Sequence, residues 1–152
     1  MKTMICLENV SYSQFNYESI EYINTLTRVS NEEVCFVSLD QTMPFMDINT
    51  AVFSPMEMDS FNNGVIISHT IKGAELVLGC SNNSKKVLYL YDLDWMFQPM
   101  FYHDIHNVLS NENLRIIVRS EDYLKPLSNI YKTKKSLAVM NNFNLEEIWN
   151  SL

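Results

Sequence analysis

Two aspartates one residue apart, Asp92-Leu93-Asp94, follow directly on an unbroken apolar run from Val87 to Tyr91. Three kinds of chemistry suit that spacing. The pair can hold a divalent ion against the diphosphate of a nucleotide sugar. One carboxylate can attack phosphorus while the other handles the proton. Or one aspartate caps the next turn while the other faces a crevice. The motif lies mid-chain and runs on into Trp95, whereas a phosphoryl-transfer pair normally ends a first strand, so capping is the simplest of the three. Further on, His103-Asp104-Ile105-His106 sets two histidines at i and i+3 of a helix, compatible with a metal. No partner motif accompanies them, a solvated helix face explains them, and no metal is expected. Trp95, Phe97, Phe101 and Tyr102 could stack a sugar or base, or simply pack a core. Arg119 follows a second apolar run, Leu114 to Val118. It offers a fork of donors to hydroxyl or phosphate oxygens, or pairs with Glu121 or Asp122 and holds the next helix. No Ser/His/Asp or Cys–His arrangement names a nucleophile, so the catalytic residues stay unknown.

These side chains act together only if the chain gathers them. Val87 to Tyr91 is too short for a helix and lacks polar alternation, which suits a strand buried on both faces of a parallel sheet. Leu114 to Val118 has the same character, and the two are expected to be parallel neighbours. Further strands are predicted at Met4 to Asn9, Glu33 to Leu39, Ala51 to Ser54, Val65 to Ile67 and Leu137 to Met140. Helical patterns separate them. Phe15 to Thr27 turns Ile20, Ile23 and Leu26 inward. Thr70 to Leu78 puts Ile71, Ala74 and Leu78 on one face and stops at Gly79. Others run around Tyr102 to Leu109, from Glu121 to Tyr131 behind a Ser120 cap, and from Asn144 to Leu152. Met56 to Asn63 reads as a loop, closed by the turn signal Asn62-Asn63-Gly64. Such alternation predicts an α/β fold. It is a single Rossmann-like domain over residues 1–152, with a doubly wound, mainly parallel sheet in three α/β/α layers. Polar residues follow the strand ends at Asn9, Asp40, Ser68-His69, Asp92 and Asp94, Arg119 to Glu121, and Asn141-Asn142. In a parallel sheet these ends share one edge, so one crevice would collect them. For any one of them alone, an ordinary helix cap is the simpler role.

Composition narrows the function. Only Gly64, Gly73 and Gly79 are glycines, too few for a G-x-G-x-x-G turn or a P-loop. No dinucleotide or nucleotide cofactor is therefore expected. The net charge of −7 argues against non-specific binding to nucleic acid or to anionic membrane. Cys6, Cys35 and Cys80 are odd in number and form no C-x-x-C, which suits reduced core thiols. The opening residues turn acidic before any signal-peptide core develops, and no run approaches a membrane span. A cytoplasmic location is the expectation.

The stretch from Val87 to Trp95, then Leu114 to Tyr123, then Val139-Met-Asn-Asn-Phe-Asn-Leu145 resembles the N-terminal, acceptor-side half of GT-B-type glycosyltransferases. It is most similar to small glycosyltransferase-like proteins of tailed phages. Gly64 to Ser68, followed by the Ile71 helix, fits the same layout, so the resemblance covers about residues 63–152. An Asn-rich, Gly-poor chain also suits an AT-rich phage genome, and the location would then be the host cytoplasm. GT-B enzymes pair two Rossmann-like domains, and this chain ends where the first would end. The resemblance therefore implies an acceptor-side half, with a donor-binding partner subunit and a sugar or nucleotide-sugar ligand. It carries acceptor-side roles onto Asp92, Asp94, Arg119, Ser120 and Glu121; Trp95, beside them, is a candidate ligand-binding residue through its aromatic face alone. The alternative is a non-catalytic phage module that binds a host or virion protein.

Overall fold

The computed structural model describes residues 1–40, 42–93, 96, 102–131 and 138–152. Seven strands form one sheet: β1 (Thr3–Leu7), β2 (Val34–Ser38), β3 (Val52–Phe53), β4 (Val65–Ser68), β5 (Lys85–Leu90), β6 (Leu114–Val118) and β7 (Ala138–Val139). Every pairing is parallel, in the order β3-β2-β1-β4-β5-β6-β7. Helices α1 (Gln14–Val29), α2 (Ile71–Gly79), α3 (Tyr102–Ser110), α4 (Leu124–Tyr131) and α5 (Leu145–Asn150) connect or close the strands.

Strand alternation sorts the apolar side chains into two layers. Ile5, Leu7, Phe36, Ile67, Tyr89 and Ile117 pack against Phe15, Ile20 and Ile23 of α1 and Leu145 and Ile148 of α5. Leu88, Leu90, Ile116 and Val118 meet Ala74 of α2, Leu109 of α3 and Leu127 of α4 on the other face. Met4, Cys6, Val37 and Ile66 extend that second layer under Val77, Met58 and Phe61. The architecture is the expected three-layer, doubly wound sheet. β5 and β6 are the anticipated parallel neighbours, with Leu88 opposite Ile116 and Leu90 opposite Val118, all four fully buried.

Local sequence explains most boundaries. Ser13 starts α1 by accepting from Asn16 N at 3.1 Å, and Thr70 starts α2 by accepting from Gly73 N at 3.1 Å. The predicted loop after residue 55 instead forms a 3-10 turn, Pro55–Ser60. Pro55 presets its first φ, and the Glu57 carboxylate accepts from Ser54 N at 2.8 Å. The predicted helix from Glu121 begins as a 3-10 turn, Glu121–Tyr123, and becomes α-helical at Leu124. Pro126 then falls in the first α-helical turn, where its missing N–H is tolerated.

Candidate functional site

In this strand order the chain works outward from β1 through β2 to β3, then returns to β4 and works outward the other way. Between β1 and β4 the helical connections leave on opposite faces, α1 on one and α2 on the other. That gap, beyond the carboxyl ends of the strands, is where open α/β sheets hold ligands. A cleft of about 580 Å³ occupies it. Glu8 after β1 and Ser13, Gln14 and Phe15 at the start of α1 form one wall. His69, Thr70, Ile71, Lys72 and Glu75 come from the end of β4 and from α2. Tyr91 and Asp92 after β5, with Asp104 and Ile105 of α3, close the third side.

His69 stacks on Phe15, ring centroids 4.2 Å apart and 14° from coplanar. Its Nδ1 lies 3.4 Å from Cys6 O. A carbonyl oxygen only accepts, so Nδ1 carries the proton and Nε2 keeps a bare lone pair. Burial lowers the His69 pKa to about 4, against a small upward pull from the Cys6 carbonyl. The imidazole is therefore uncharged at neutral pH. Phe15 also meets Tyr91 edge to face at 5.6 Å and Phe143 at 5.4 Å, which fixes the floor under His69. The Tyr91 hydroxyl donates to Glu18 Oε1 at 2.7 Å, and Gln14 Nε2 donates to the same oxygen at 2.9 Å. Burial, then this carboxylate contact, push the Tyr91 pKa up, so it stays a donor.

The loop over residues 8–13 stands where a Rossmann fold carries its phosphate turn, and it is wired differently. Val10 N donates to Thr42 Oγ1 at 3.2 Å and Ser11 N to Asn9 Oδ1 at 3.1 Å. Asn16, buried at the start of α1, donates its carboxamide to Asn9 O at 2.9 Å and Ser11 O at 2.8 Å. The Val10 and Ser11 N–H groups are thus taken within the protein. Four carboxylates (Glu8, Glu75, Asp92, Asp104) against one lysine, Lys72, give the cleft an acidic lining.

No protein-family model matches this chain, and no curated protein resembles it significantly.

The sequence-derived candidates divide around this cleft. Asp92 lines it. Asp94 and Trp95 lie outside the described residues, as do Phe97 and Phe101 of the aromatic cluster. Arg119 is absent from the lining; its guanidinium carbon sits 4.1 Å over the Tyr91 ring. Leu90 faces Val118 across the ladder, so Tyr91 and Arg119 continue together toward the α1/α5 layer. Among the described residues no ion pair joins Arg119 to Glu121 or Asp122. Ser120 accepts from Asp122 N at 3.3 Å and so acts as the cap of the 3-10 turn. Glu121 is exposed in that first turn. Among the described residues no group of three or more His, Cys, Asp or Glu side chains could hold a metal ion. The cysteines are free thiols whose pKa values burial pushes up, Cys6 to about 12 and Cys35 to about 11, which disfavours the nucleophilic thiolate. No helix among the described residues is long and apolar enough to cross a membrane.

Sequence reasoning did not place Glu8, Phe15 or Lys72 in the site, and it reached His69 only as one of the strand-end polar residues that a single crevice would collect. The Ser68-His69 pair was visible as polar residues after a strand. Only the strand order shows that β4 is the strand beside which the winding reverses.

Proposed function

We propose that this chain binds a neutral carbohydrate as the acceptor-side half of a glycosyl-transfer system, the role its sequence resembles, with the donor-binding half on another chain. One observation carries the reading: the switch-point cleft is lined by four carboxylates and a neutral imidazole. Sugar hydroxyls both donate and accept, so Glu8, Asp92 and Asp104 can take their protons while Lys72 and the first N–H groups of α2 return donors. Phosphate oxygens only accept and would face four like charges. The lining therefore favours an acceptor sugar over a nucleotide diphosphate.

The test is saturation-transfer NMR on the chain with neutral saccharides, sugar phosphates and nucleotide sugars, with and without a co-encoded transferase-like chain. A neutral saccharide is expected to bind, and Asp92→Asn to weaken it by about three- to tenfold, the equivalent of one lost charge-assisted contact. If no glycan binds under either condition, the carbohydrate reading falls. A second reading then takes its place, a non-catalytic module that docks a protein. Its supporting observation is exposed apolar surface on the edge strand and just beyond it, at Val52, Phe53 and Met56. Crosslinks from a co-purifying, non-enzymatic protein to that edge would favour it.

A further inference from the structure

At the edge of the sheet opposite the cleft, the turns that lead into β4 and β5 interlock. Asn63 N donates to Asn83 Oδ1 at 2.9 Å, Asn83 Nδ2 donates to Asn63 Oδ1 at 2.8 Å, and Gly64 N donates to Ser84 Oγ at 3.3 Å. Ser84 is buried and donates onward to Phe61 O at 2.7 Å. The backbone dictates both residues of the Asn63-Gly64 pair. Asn63 holds φ at 58°, a left-handed conformation that asparagine tolerates better than most residues. A Cβ at Gly64 would lie 2.7 Å from Lys2 O and 2.7 Å from the Phe61 ring, so no side chain fits. The fold thereby sets, in an exposed turn, the only asparagine of the chain that is followed by glycine.

We propose that Asn63 is a deamidation site gated by this turn, closed in the native chain and open once the two turns separate. Gly64 N loses its proton to water and bonds to Asn63 Cγ; the Cγ–Nδ2 bond breaks, ammonia leaves, and a five-membered succinimide results. Water then opens the imide. Attack at Cγ restores the main chain as aspartate. Attack at the Asn63 main-chain carbonyl routes the chain through the side chain as isoaspartate. Water is the only co-reactant. In the native turn the Gly64 nitrogen is held by Ser84 and the Asn63 oxygen by Asn83, so the nitrogen cannot swing onto Cγ. Isoaspartate adds a main-chain carbon just before Gly64, which is packed so closely that even a Cβ on it would lie 2.7 Å from Lys2 O and from the Phe61 ring. It also displaces Gly64 O, which accepts from Lys85 N at 2.9 Å. A chain converted to isoaspartate therefore cannot re-form the closed turn, and that product is a lasting mark of having opened.

The full chain, native and in urea at mildly alkaline pH, is to be peptide-mapped by mass spectrometry for aspartate and isoaspartate, the other asparagines serving as references. In urea Asn63 should convert faster than any other asparagine. In the native chain its rate should be at least about tenfold lower, because only the locally opened fraction reacts. Ser84→Ala should raise the native rate toward the unfolded one. Asn83 is exposed, so Asn83→Ala removes the second clamp without disturbing the core and tests the gate if Ser84→Ala fails to fold. Equal native and unfolded rates would overturn the proposal, as would another asparagine reacting faster in urea. So would a folded Asn83→Ala chain in which Asn63 stays fully protected.

Discussion

His69 is the residue on which the cleft's electrostatics turn. Its folded pKa of about 4 lies below the ordinary 6.5 because burial against Phe15 penalises the imidazolium. Between those values the unfolded chain binds a proton that the folded chain refuses, so stability rises with pH across the window. The contribution is complete above 6.5 and is lost as pH falls through about 4. It amounts to at most about 3 kcal/mol, from 1.36 kcal/mol per unit. His69→Gln keeps a donor for Cys6 O without the titration. Urea unfolding at stepped pH should therefore show a shallower acid loss in the variant than in the wild type. Parallel curves would show that His69 takes up a proton as readily in the native chain as in the unfolded one. Arg119 has a different job, bracing the wall by covering the Tyr91 ring. Arg119→Ala should lower stability by about 0.5–1 kcal/mol, the size of a cation–π contact, while cleft-ligand affinity moves less than about tenfold. An unchanged thermal midpoint with a large affinity loss would instead put Arg119 in contact with the ligand.

The elements show what the sequence could and could not disclose. β5 and β6 were legible because apolar runs without alternation have few other solutions. α1 was legible because Ile20 and Ile23 recur at helical spacing, and both are fully buried. Strand order was not legible, since parallel pairing leaves no mark in a strand's own residues, and with it went the location of the cleft. Of the strand-end groups expected to share one crevice, Asp92 and His69 line the cleft, whereas Arg119 lies over the Tyr91 ring. Gly73 is a further case. On sequence it merely weakens a helix, yet a Cβ there would lie 2.5 Å from Ser68 Oγ and 3.1 Å from Thr70 Oγ1. It lets α2 seat closely on the end of β4 and so sets the spacing of Thr70, Ile71 and Lys72 in the cleft. Gly73→Ala should destabilise by about 1–3 kcal/mol through overpacking, although alanine is the better helix former by about 1 kcal/mol. Adding Ser68→Ala removes the obstructing oxygen and should recover most of the loss, since Ser68 Cβ lies at an ordinary 3.5 Å. Calorimetry of the two single variants and the double variant checks this, and strictly additive losses would refute the contact.

At the scale of the whole molecule the two layers share one sheet, and the first and last elements are tied together. Trp149 Nε1 of α5 donates to Thr3 Oγ1 of β1 at 2.9 Å, and Tyr22 of α1 reaches Asn144 Oδ1 at 3.4 Å. Each central strand therefore presents alternate side chains to both layers, so neither layer can melt without stripping a face of the other's strands. A single cooperative transition follows. Ile20 belongs to the α1/α5 layer and Leu90 to the layer of α2, α3 and α4; both are fully buried. Ile20→Ala and Leu90→Ala should each cost about 2–5 kcal/mol, the range for large-to-small core changes. Because the two residues share no core cluster, the double variant should lose the sum to within about 0.5 kcal/mol. Urea melts followed by tryptophan fluorescence and by far-ultraviolet circular dichroism should coincide for all four chains with an unchanged m-value. If Leu90→Ala shifted only one signal, or split the melt in two, the layers would be unfolding independently. The sheet would then not be the common core that the strand alternation describes.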